Sequence, residues 1–464
     1  KKVLLKMGRS DGGKQFRIAF VCDFFYPRLG GVEMHLWSLA QHLIRQNHKV
    51  IIITHAYGKR KGVRYLPGPL KVYYCPIVPI VDQDTMPTFA PTLPLIRNIL
   101  IRERIEIVHA HQATSTMANE SLVYAAALGL ASVYTDHSLF GFNDLASVVL
   151  NRVLQITLST VDAAICVSHT CRDNLILRAK LDSKRVFVIP NAIDPSKFTP
   201  DPPNRDSSRI KVVVVSRLVY RKGVDLLVGI IPKICATLEN VDFIIGGDGN
   251  KRLNLQEMVE RERLQERVTF LGAVPHDKVP DVLRQGHVFL NCSLTESFCI
   301  ALLEAASCGL FIVSTKVGGV PEVLPEDMML LAECNVDALF TTLKKAIARQ
   351  QLRPMDPLEL HDRVKTMYSW ERVADETLEI YDTVRNSKRL NLCDRLNCYS
   401  SVGGITALVV CLLIVTFEFW LSFVEWWQPK ESIDIVPDII QFAEFEDKAL
   451  PKNEQPVVIT KAAP

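Results

Sequence analysis

Short apolar runs alternate with amphipathic segments along most of the chain. The runs Phe16–Cys22 and Lys49–Thr54 are typical of buried strands, and apolar residues recur between them at helical spacing. Further strands are predicted at residues 105–109, 131–135, 162–167 and 186–189. Strands that alternate with helices in this way predict a parallel, doubly wound α/β sheet.

The same alternation restarts after residues 194–208, which are rich in Pro, Asp and Ser, as is typical of a linker. Strands are predicted at 210–216, 241–246, 268–271, 288–291 and 311–315, with a helix from Phe298. A chain of 464 residues is too long for one core. We therefore expect two Rossmann-like domains that face a cleft.

The expected boundaries follow from these patterns. A polar segment, 1–15, precedes the first domain, 16–200, and the second domain covers 201–356. Helical residues 357–387 are expected to pack back toward the first domain.

Residues 402–424 form a 23-residue apolar run with a single charge, Glu418. This length is enough to cross a bilayer as one helix, although a buried core helix is the alternative. Trp residues cluster at its far end, and Lys388, Arg389 and Arg395 precede it. The basic side is expected to be cytosolic, which places the large N-terminal part in the cytosol and a short tail, 428–464, across the membrane. We expect Glu418 to face a partner helix or the interface, because a charge within lipid is costly.

Composition narrows the function classes. Hydrophobic residues make up 48% and charged residues 23%, with a net charge of +3. No basic stripe with interleaved aromatic residues appears, which argues against nucleic-acid binding. The 12 cysteines contain no CxxC pair, so we expect reduced thiols and no metal site.

Charged and small residues follow several predicted strands, where ligands bind in doubly wound sheets. Gly30 and Gly31 would let backbone amides approach a phosphate. Arg217 and Lys222 would neutralise a diphosphate. Each of these signals has a structural alternative, a turn or a solvated basic loop.

Glu296 and Glu304 lie eight positions apart, so on one helix they would share a face. Two acids with an apolar backing suit a site that grips a sugar nucleotide; an ordinary amphipathic helix with solvated acids is the alternative. His137, at a strand end, is expected to hydrogen-bond a sugar hydroxyl or polarise the reacting centre, and a purely structural role fits it equally well. Gly247 would give backbone access, and the motif Gly318–Glu322 could wrap a nucleotide base.

The order of these motifs resembles the retaining glycosyltransferases of family four, which have the two-domain GT-B fold. The resemblance covers roughly residues 16–385 and rests on Gly-Gly-x-Glu, Asp-His, Ser-Arg-x4-Lys-Gly, Gly-Gly-x-Gly, Glu-x7-Glu and Gly-Gly-x-Pro-Glu. More narrowly, segments 23–27, 54–58, 135–142, 189–192 and 216–223, with the late apolar run, are similar to the branch that starts glycosylphosphatidylinositol anchor synthesis.

The resemblance implies transfer of N-acetylglucosamine from UDP-N-acetylglucosamine to phosphatidylinositol with retention. It implies a single-pass protein of the endoplasmic reticulum membrane that works with other membrane subunits and needs no metal or other cofactor. The lipid acceptor could meet the basic patch 58–64 or the apolar segment 139–142.

The resemblance also assigns roles to individual residues. Arg217 and Lys222 would hold the UDP diphosphate, Glu304 the ribose hydroxyls and Glu296 the donor sugar, with His137 near the reacting carbon. Donor contacts are also expected from the following residues: Gly30, Gly31, Gly247, Cys299 and Ile300. Cys299 departs from the family, in which many members have Gly at this position of Glu-x-Phe-Gly.

Three other functions compete with this one. A family-four enzyme with another lipid-linked acceptor would share the donor motifs. A non-catalytic membrane scaffold predicts loss of the acids or cations, and all four are present. A dehydrogenase lacks support because no GxGxxG follows the first strand.

Overall fold

A computed structural model describes residues 15–437 except 29, 82, 89, 142–144 and 206–207. Almost all of the polar segment 1–15 and most of the tail 428–464 therefore lie outside the described residues.

An eight-stranded sheet forms the first domain. Its elements, with a small separate ribbon of β5 and β6, are β1 (Arg17–Val21), α1 (Gly31–Arg45), β2 (Lys49–His55), β3 (Gly62–Leu66), β4 (Leu70–Cys75), β5 (Pro79–Val81), β6 (Asp84–Thr85), α2 (Leu93–Arg102), β7 (Ile107–His111), α3 (Thr116–Ala127), β8 (Ala131–Asp136), α4 (Leu145–Thr157), β9 (Ala163–Cys166), α5 (His169–Ala179) and β10 (Val186–Val188). The strand order is β10-β9-β8-β7-β1-β2-β4-β3, and every neighbouring pair except β3 and β4 is parallel. Helices on both faces bury the apolar strands.

The second domain contains a six-stranded parallel sheet in the order β13-β12-β11-β14-β15-β16. Its elements are β11 (Ile210–Val215), α6 (Val224–Thr237), β12 (Val241–Gly246), α7 (Arg252–Arg261), β13 (Val268–Gly272), α8 (Val279–Leu283), β14 (Val288–Asn291), α9 (Ile300–Ser307), β15 (Phe311–Thr315), β16 (Met329–Ala332) and α10 (Val336–Leu352). Two doubly wound sheets confirm the predicted fold class.

Two predictions about local structure need correction. The patch 58–64 is not simply a loop, because Gly62–Leu66 forms the edge strand β3, paired antiparallel with β4. Its Arg60 guanidinium lies over the Tyr26 ring, 4.9 Å from the centroid. The strand predicted at 105–109 begins two residues later and ends at His111.

Two helices return the chain to the first domain. Helix α11 (Pro357–Met367) packs on α9, and α12 (Trp370–Arg385) packs on α1. Trp370 and Tyr381 enter the core behind β1.

The late apolar run forms α14 (Gly404–Trp427), which follows α13 (Leu392–Ser400). It is the one helix among the described residues that is long and apolar enough to cross a membrane. One stripe of α14 packs along the first domain, where the Phe417 ring stacks on that of Tyr124 at 5.6 Å. The opposite stripe is apolar and exposed. Glu418 accepts a 2.6 Å hydrogen bond from Arg395 Nη1, so this charge faces a neighbouring helix of the same chain.

Candidate active site

A cavity of about 1600 Å³ separates the two domains at the carboxyl ends of their strands. Nine of the ten predicted site residues line it: Gly30, Gly31, His137, Arg217, Lys222, Glu296, Cys299, Ile300 and Glu304. The exception is Gly247.

The predicted cations follow β11, the central strand of the second sheet. Arg217 is exposed to the cavity, and Lys222 lies in a short turn immediately before α6. Lys222 Nζ donates a hydrogen bond to the carboxylate of Glu296. The close pair joins one predicted diphosphate ligand to the predicted sugar ligand, and both side chains remain partly accessible from the cavity.

Glu296 does not share a helix with Glu304, because α9 begins only at Ile300. It lies in a loop that is held from both domains. The Ser297 hydroxyl donates to the His137 carbonyl oxygen at 2.6 Å, and the Ser168 hydroxyl donates to the Ser297 carbonyl oxygen at 2.6 Å. On the second-domain side, the Gly319 amide donates to the Glu296 carbonyl oxygen at 3.0 Å. The position of Glu296 therefore depends on the closure of the cleft.

Glu304 lies in the second turn of α9 and is half-buried. Burial alone raises the pKa of its carboxyl group to about 7, from an ordinary value of 4.5. A carboxylate with little solvation is a strong acceptor for hydroxyl groups, which fits the predicted contact with ribose.

Cys299 precedes α9 with φ 74° and ψ 76°, in the left-handed region that favours glycine. This conformation explains why glycine is common at this position of the family motif. The first turn of α9 lines the cavity through Cys299, Ile300 and Ala301. Its free amides and the positive end of the helix dipole suit an anion.

Gly31 opens α1 at the cavity, and a Cβ there would have no atom within 4 Å. Space above its backbone is therefore available to a ligand. A Cβ on Gly30 would lie 2.6 Å from Glu33 Oε2, the movable end of a side chain. Neither residue has the left-handed φ that demands glycine.

Gly247 lies behind the cavity rather than on its wall. Its φ is 136°, and a Cβ would lie 1.8 Å from the Ser216 carbonyl oxygen. It therefore supports the backbone that carries Arg217. The Gly318–Glu322 motif likewise does not line the cavity. Its Glu322 carboxylate accepts hydrogen bonds from the amides of His169 and Thr170 at 2.6 and 2.9 Å, so this motif bridges the domains.

His137 belongs to a group of histidines that the sequence reasoning missed. Its Nε2 lies 3.3 Å from His111 Nδ1, and its ring contacts that of His35 with 4.7 Å between centroids. Burial lowers the pKa of each of the three imidazoles, so they are neutral at physiological pH. Asn191 Oδ1 lies 2.9 Å from His35 Nδ1 and fixes that ring.

These three imidazoles each bring one nitrogen within 4.8 Å of the others, a spacing from which a metal ion could be held after small shifts. Among the described residues, His111 Nε2 is buried without a hydrogen-bond partner. The signal in the sequence was His109-Ala-His111, because positions two apart in a strand share a face. The expectation that the enzyme needs no metal stays a prediction.

Comparison with solved structures defines the class. The chain resembles sucrose-phosphate synthase from Thermosynechococcus elongatus with a TM-score of 0.66 at 19% identity, over 80% of this chain and 99% of that one. It resembles Anabaena HepE in complex with UDP with a TM-score of 0.64 at 17% identity, over 79% and 100%. Together with the two facing Rossmann-like sheets, these likenesses identify the fold as that of a GT-B glycosyltransferase.

The family follows from sequence comparison. Residues 55–144 match the family PIGA (GPI anchor biosynthesis), and residues 196–355 match glycosyl transferases group 1. The chain is 49% identical to the PIGA-type phosphatidylinositol N-acetylglucosaminyltransferase subunit of Arabidopsis thaliana, over 92% of this chain and 95% of that protein. It is 50% identical to the Homo sapiens protein of the same name, over 91% and 87%. The chain belongs to the PIGA family of phosphatidylinositol N-acetylglucosaminyltransferase subunits.

Proposed function

We propose that this chain transfers N-acetylglucosamine from UDP-N-acetylglucosamine to the inositol of phosphatidylinositol, with retention at the anomeric carbon, as the first step of glycosylphosphatidylinositol anchor synthesis. The observation that carries the proposal is the Lys222–Glu296 pair beside Glu304 in the cleft of a chain that belongs to this family.

The leaving UDP gains negative charge as the bond from the anomeric carbon to the diphosphate breaks. Arg217, Lys222 and the first amides of α9 can stabilise that charge from one side of the cavity. Lys222 bonds Glu296 in the structure. Donor binding would draw the ammonium group toward the diphosphate, so Glu296 would become available to the sugar hydroxyls. We propose that these cations and amides suffice, without a metal.

Retention without a covalent intermediate requires the acceptor to attack from the face that the diphosphate leaves. The inositol hydroxyl forms the new bond to the anomeric carbon, and a phosphate oxygen of the departing UDP takes its proton. Glu296 would then position the donor rather than act as nucleophile. His137, neutral because it is buried, can hydrogen-bond the reacting sugar but carries no charge into the transition state.

The finer points of location and assembly are part of this proposal. Relatives are named as subunits of the transferase, and the chain has one candidate membrane helix. We propose a single-pass protein of the endoplasmic reticulum membrane, with the two domains in the cytosol, the tail after Gln428 in the lumen and other membrane subunits as partners.

The test is transfer of radiolabelled N-acetylglucosamine to phosphatidylinositol by membranes of cells that lack the endogenous enzyme and express this chain. A labelled lipid that is lost in Glu304→Gln and kept in Glu326→Gln, an exposed acid outside the cavity, supports the reaction and the site. Label on a different lipid acceptor would overturn the choice of acceptor. No label with any acceptor, in membranes that also contain the partner subunits, would overturn the catalytic function.

A further inference from the structure

Helix α4 has its polarity reversed relative to an ordinary surface helix. Its outward positions are Leu145, Ala146, Val148, Val149, Arg152 and Val153. Leu145 is 79% exposed and Val149 55%. Soluble proteins place such a stripe toward the core.

Polar side chains occupy the opposite, buried face of α4. Asn151 Nδ2 donates to the Gly141 carbonyl oxygen at 3.2 Å, and the Thr157 hydroxyl donates to Asn119 Oδ1 at 2.9 Å. These bonds fix the rotation of the helix, because turning it inward would leave buried polar groups unpaired. The apolar stripe is therefore held outward by the fold.

The far end of α4 contacts the segment that leads into the candidate membrane helix. Arg152 Nη1 donates to the Val402 carbonyl oxygen at 3.3 Å, two residues before α14 begins. Ile156 packs with Val410 and Ile414 of α14. The apolar outer stripe of α4 thus adjoins the entry of α14, whose own outer stripe is apolar.

The near end of α4 is connected to the active-site cleft. Leu139 and Phe140 line the cavity directly after His137, and α4 begins at Leu145. A surface that holds α4 would therefore lie beside the rim of the cleft.

We propose that α4 lies in the plane of the membrane surface, with the stripe Leu145, Val148, Val149 and Val153 inserted among the acyl chains of the cytosolic leaflet. Arg152, at the edge of that stripe, would reach the lipid headgroups. The helix would hold the cleft mouth against the leaflet that supplies the lipid acceptor. The inference rests on the membrane location in the proposed function but not on the identity of the acceptor.

Lipid fits better than a partner protein because the stripe continues toward α14. A helix entering a bilayer must pass the interface at its first residues, so whatever adjoins Val402 lies at interface depth. In the proposed topology that interface is the cytosolic one.

Fluorescence quenching by lipids tests the placement without any need for turnover. The full chain in nanodiscs would carry a polarity-sensitive fluorophore on Val149→Cys, in a background with the exposed Cys334 and Cys393 changed to Ser. The matched control is Leu352→Cys, 81% exposed at the end of α10 in the second domain. Spin-labelled lipids should quench position 149 severalfold more than position 352. Equal quenching would overturn the proposal.

Photo-crosslinking from position 149 separates lipid from protein as the occupant. Benzoylphenylalanine in place of Val149, in membranes that contain the partner subunits, should form adducts with phospholipid. An adduct with another membrane protein of the complex instead would overturn the lipid assignment.

Transfer kinetics connect the placement with the reaction. Leu145→Glu with Val149→Glu should lower transfer to long-chain phosphatidylinositol in bilayers by about tenfold, because two charges would enter the acyl region. Transfer to a soluble short-chain acceptor and the KM for the donor should be unchanged, as should both in Leu352→Glu. An equal loss on both acceptors would indicate damage to the fold and overturn the surface role. Quenching at position 149 without any transfer would leave the membrane contact standing while the proposed reaction failed.

Discussion

The Ser297 hydroxyl donates a 2.6 Å hydrogen bond to the main-chain oxygen of His137 across the cleft. Ser297 follows Glu296, whereas His137 follows the end of β8 in the other domain. The residue expected to bind the donor sugar and the residue expected near the reacting carbon are thus tied by one contact between the domains.

Loss of this contact should slow transfer while leaving the protein folded. We expect Ser297→Ala to lower kcat by roughly fivefold, because one net hydrogen bond is worth about 1 kcal/mol in the closed form. Ser387→Ala, at the exposed end of α12, removes a hydroxyl that bonds only within its own helix and should leave kcat unchanged. The measurement is steady-state transfer with both substrates varied. Equal kcat values for the two variants would show that the interdomain contact does not limit the reaction.

Donor affinity should depend on pH through Glu304. Burial raises the pKa of its carboxyl group to about 7. Ribose hydroxyls that donate to the carboxylate stabilise its ionised form and lower that pKa, so donor binding should release a proton near neutral pH. Affinity for UDP-N-acetylglucosamine should therefore rise as the pH rises toward 7 and level off above it.

Titration calorimetry at pH 6.5 in buffers of different ionisation enthalpy measures that released proton. Glu304→Gln should bind the donor more weakly, and the proton release should be smaller than in the parent chain. An undiminished release in Glu304→Gln would assign the titration to another group.

Much of the fold could be predicted because most strands are buried on both faces and read as short Val- and Ile-rich runs. Strand β4 escaped prediction because it contains Lys71 in a fully buried strand. That lysine is paired with Glu103, which lies 32 positions further along the chain. A pairing over this distance leaves no local pattern in the sequence.

The site was predicted where its residues follow strands of the parallel sheets and missed where it depends on packing between elements. Arg217 and Lys222 follow β11, so their placement could be inferred from topology alone. The contact of His35 with His137 joins α1 to the end of β8, and no spacing in the sequence indicates it.

The backbone at Cys299 offers a stability test. Its φ of 74° costs an L-residue about 1 kcal/mol relative to glycine. Cys299→Gly and Cys299→Ala both remove the thiol, but only the former removes that strain. Cys299→Gly should therefore have the higher free energy of unfolding, by about 1 kcal/mol, in paired denaturation curves. If Cys299→Ala were equally stable, the left-handed conformation at this residue would be wrong.

Two glycines near the donor site should fail for different reasons. Without a ligand, Gly31→Ala meets no atom, so its melting temperature should be unchanged, whereas Gly247→Ala places a methyl group against Ser216 and should lower it. Both should bind UDP weakly, Gly31→Ala because phosphate can no longer approach the backbone. Thermal melts with and without UDP distinguish the two causes. Normal UDP binding by Gly31→Ala would place the phosphates elsewhere.

The position of α14 decides how the catalytic domains are attached to the membrane. Both of its ends contact the first domain: Arg152 bonds the Val402 carbonyl oxygen, and Asn98 Nδ2 donates to Gln428 Oε1 at 2.9 Å. A helix of 24 residues is about 36 Å long, so a span with the catalytic domains in the cytosol cannot keep both contacts. The proposed topology therefore requires that the contact at Gln428 be released in the membrane.

A glycosylation sequon added after Pro464 reads this choice directly. We expect the tagged chain to be glycosylated in microsomes, because the basic residues before α14 retain the first end of the helix in the cytosol. Asn98→Ala, which removes the contact at the second end, should leave glycosylation at least as efficient. A tag that stays unmodified in the parent chain and becomes modified in Asn98→Ala would show that the docked helix is the resident state. A tag modified in neither would mean that α14 lies along the first domain in the plane of the membrane instead of crossing it.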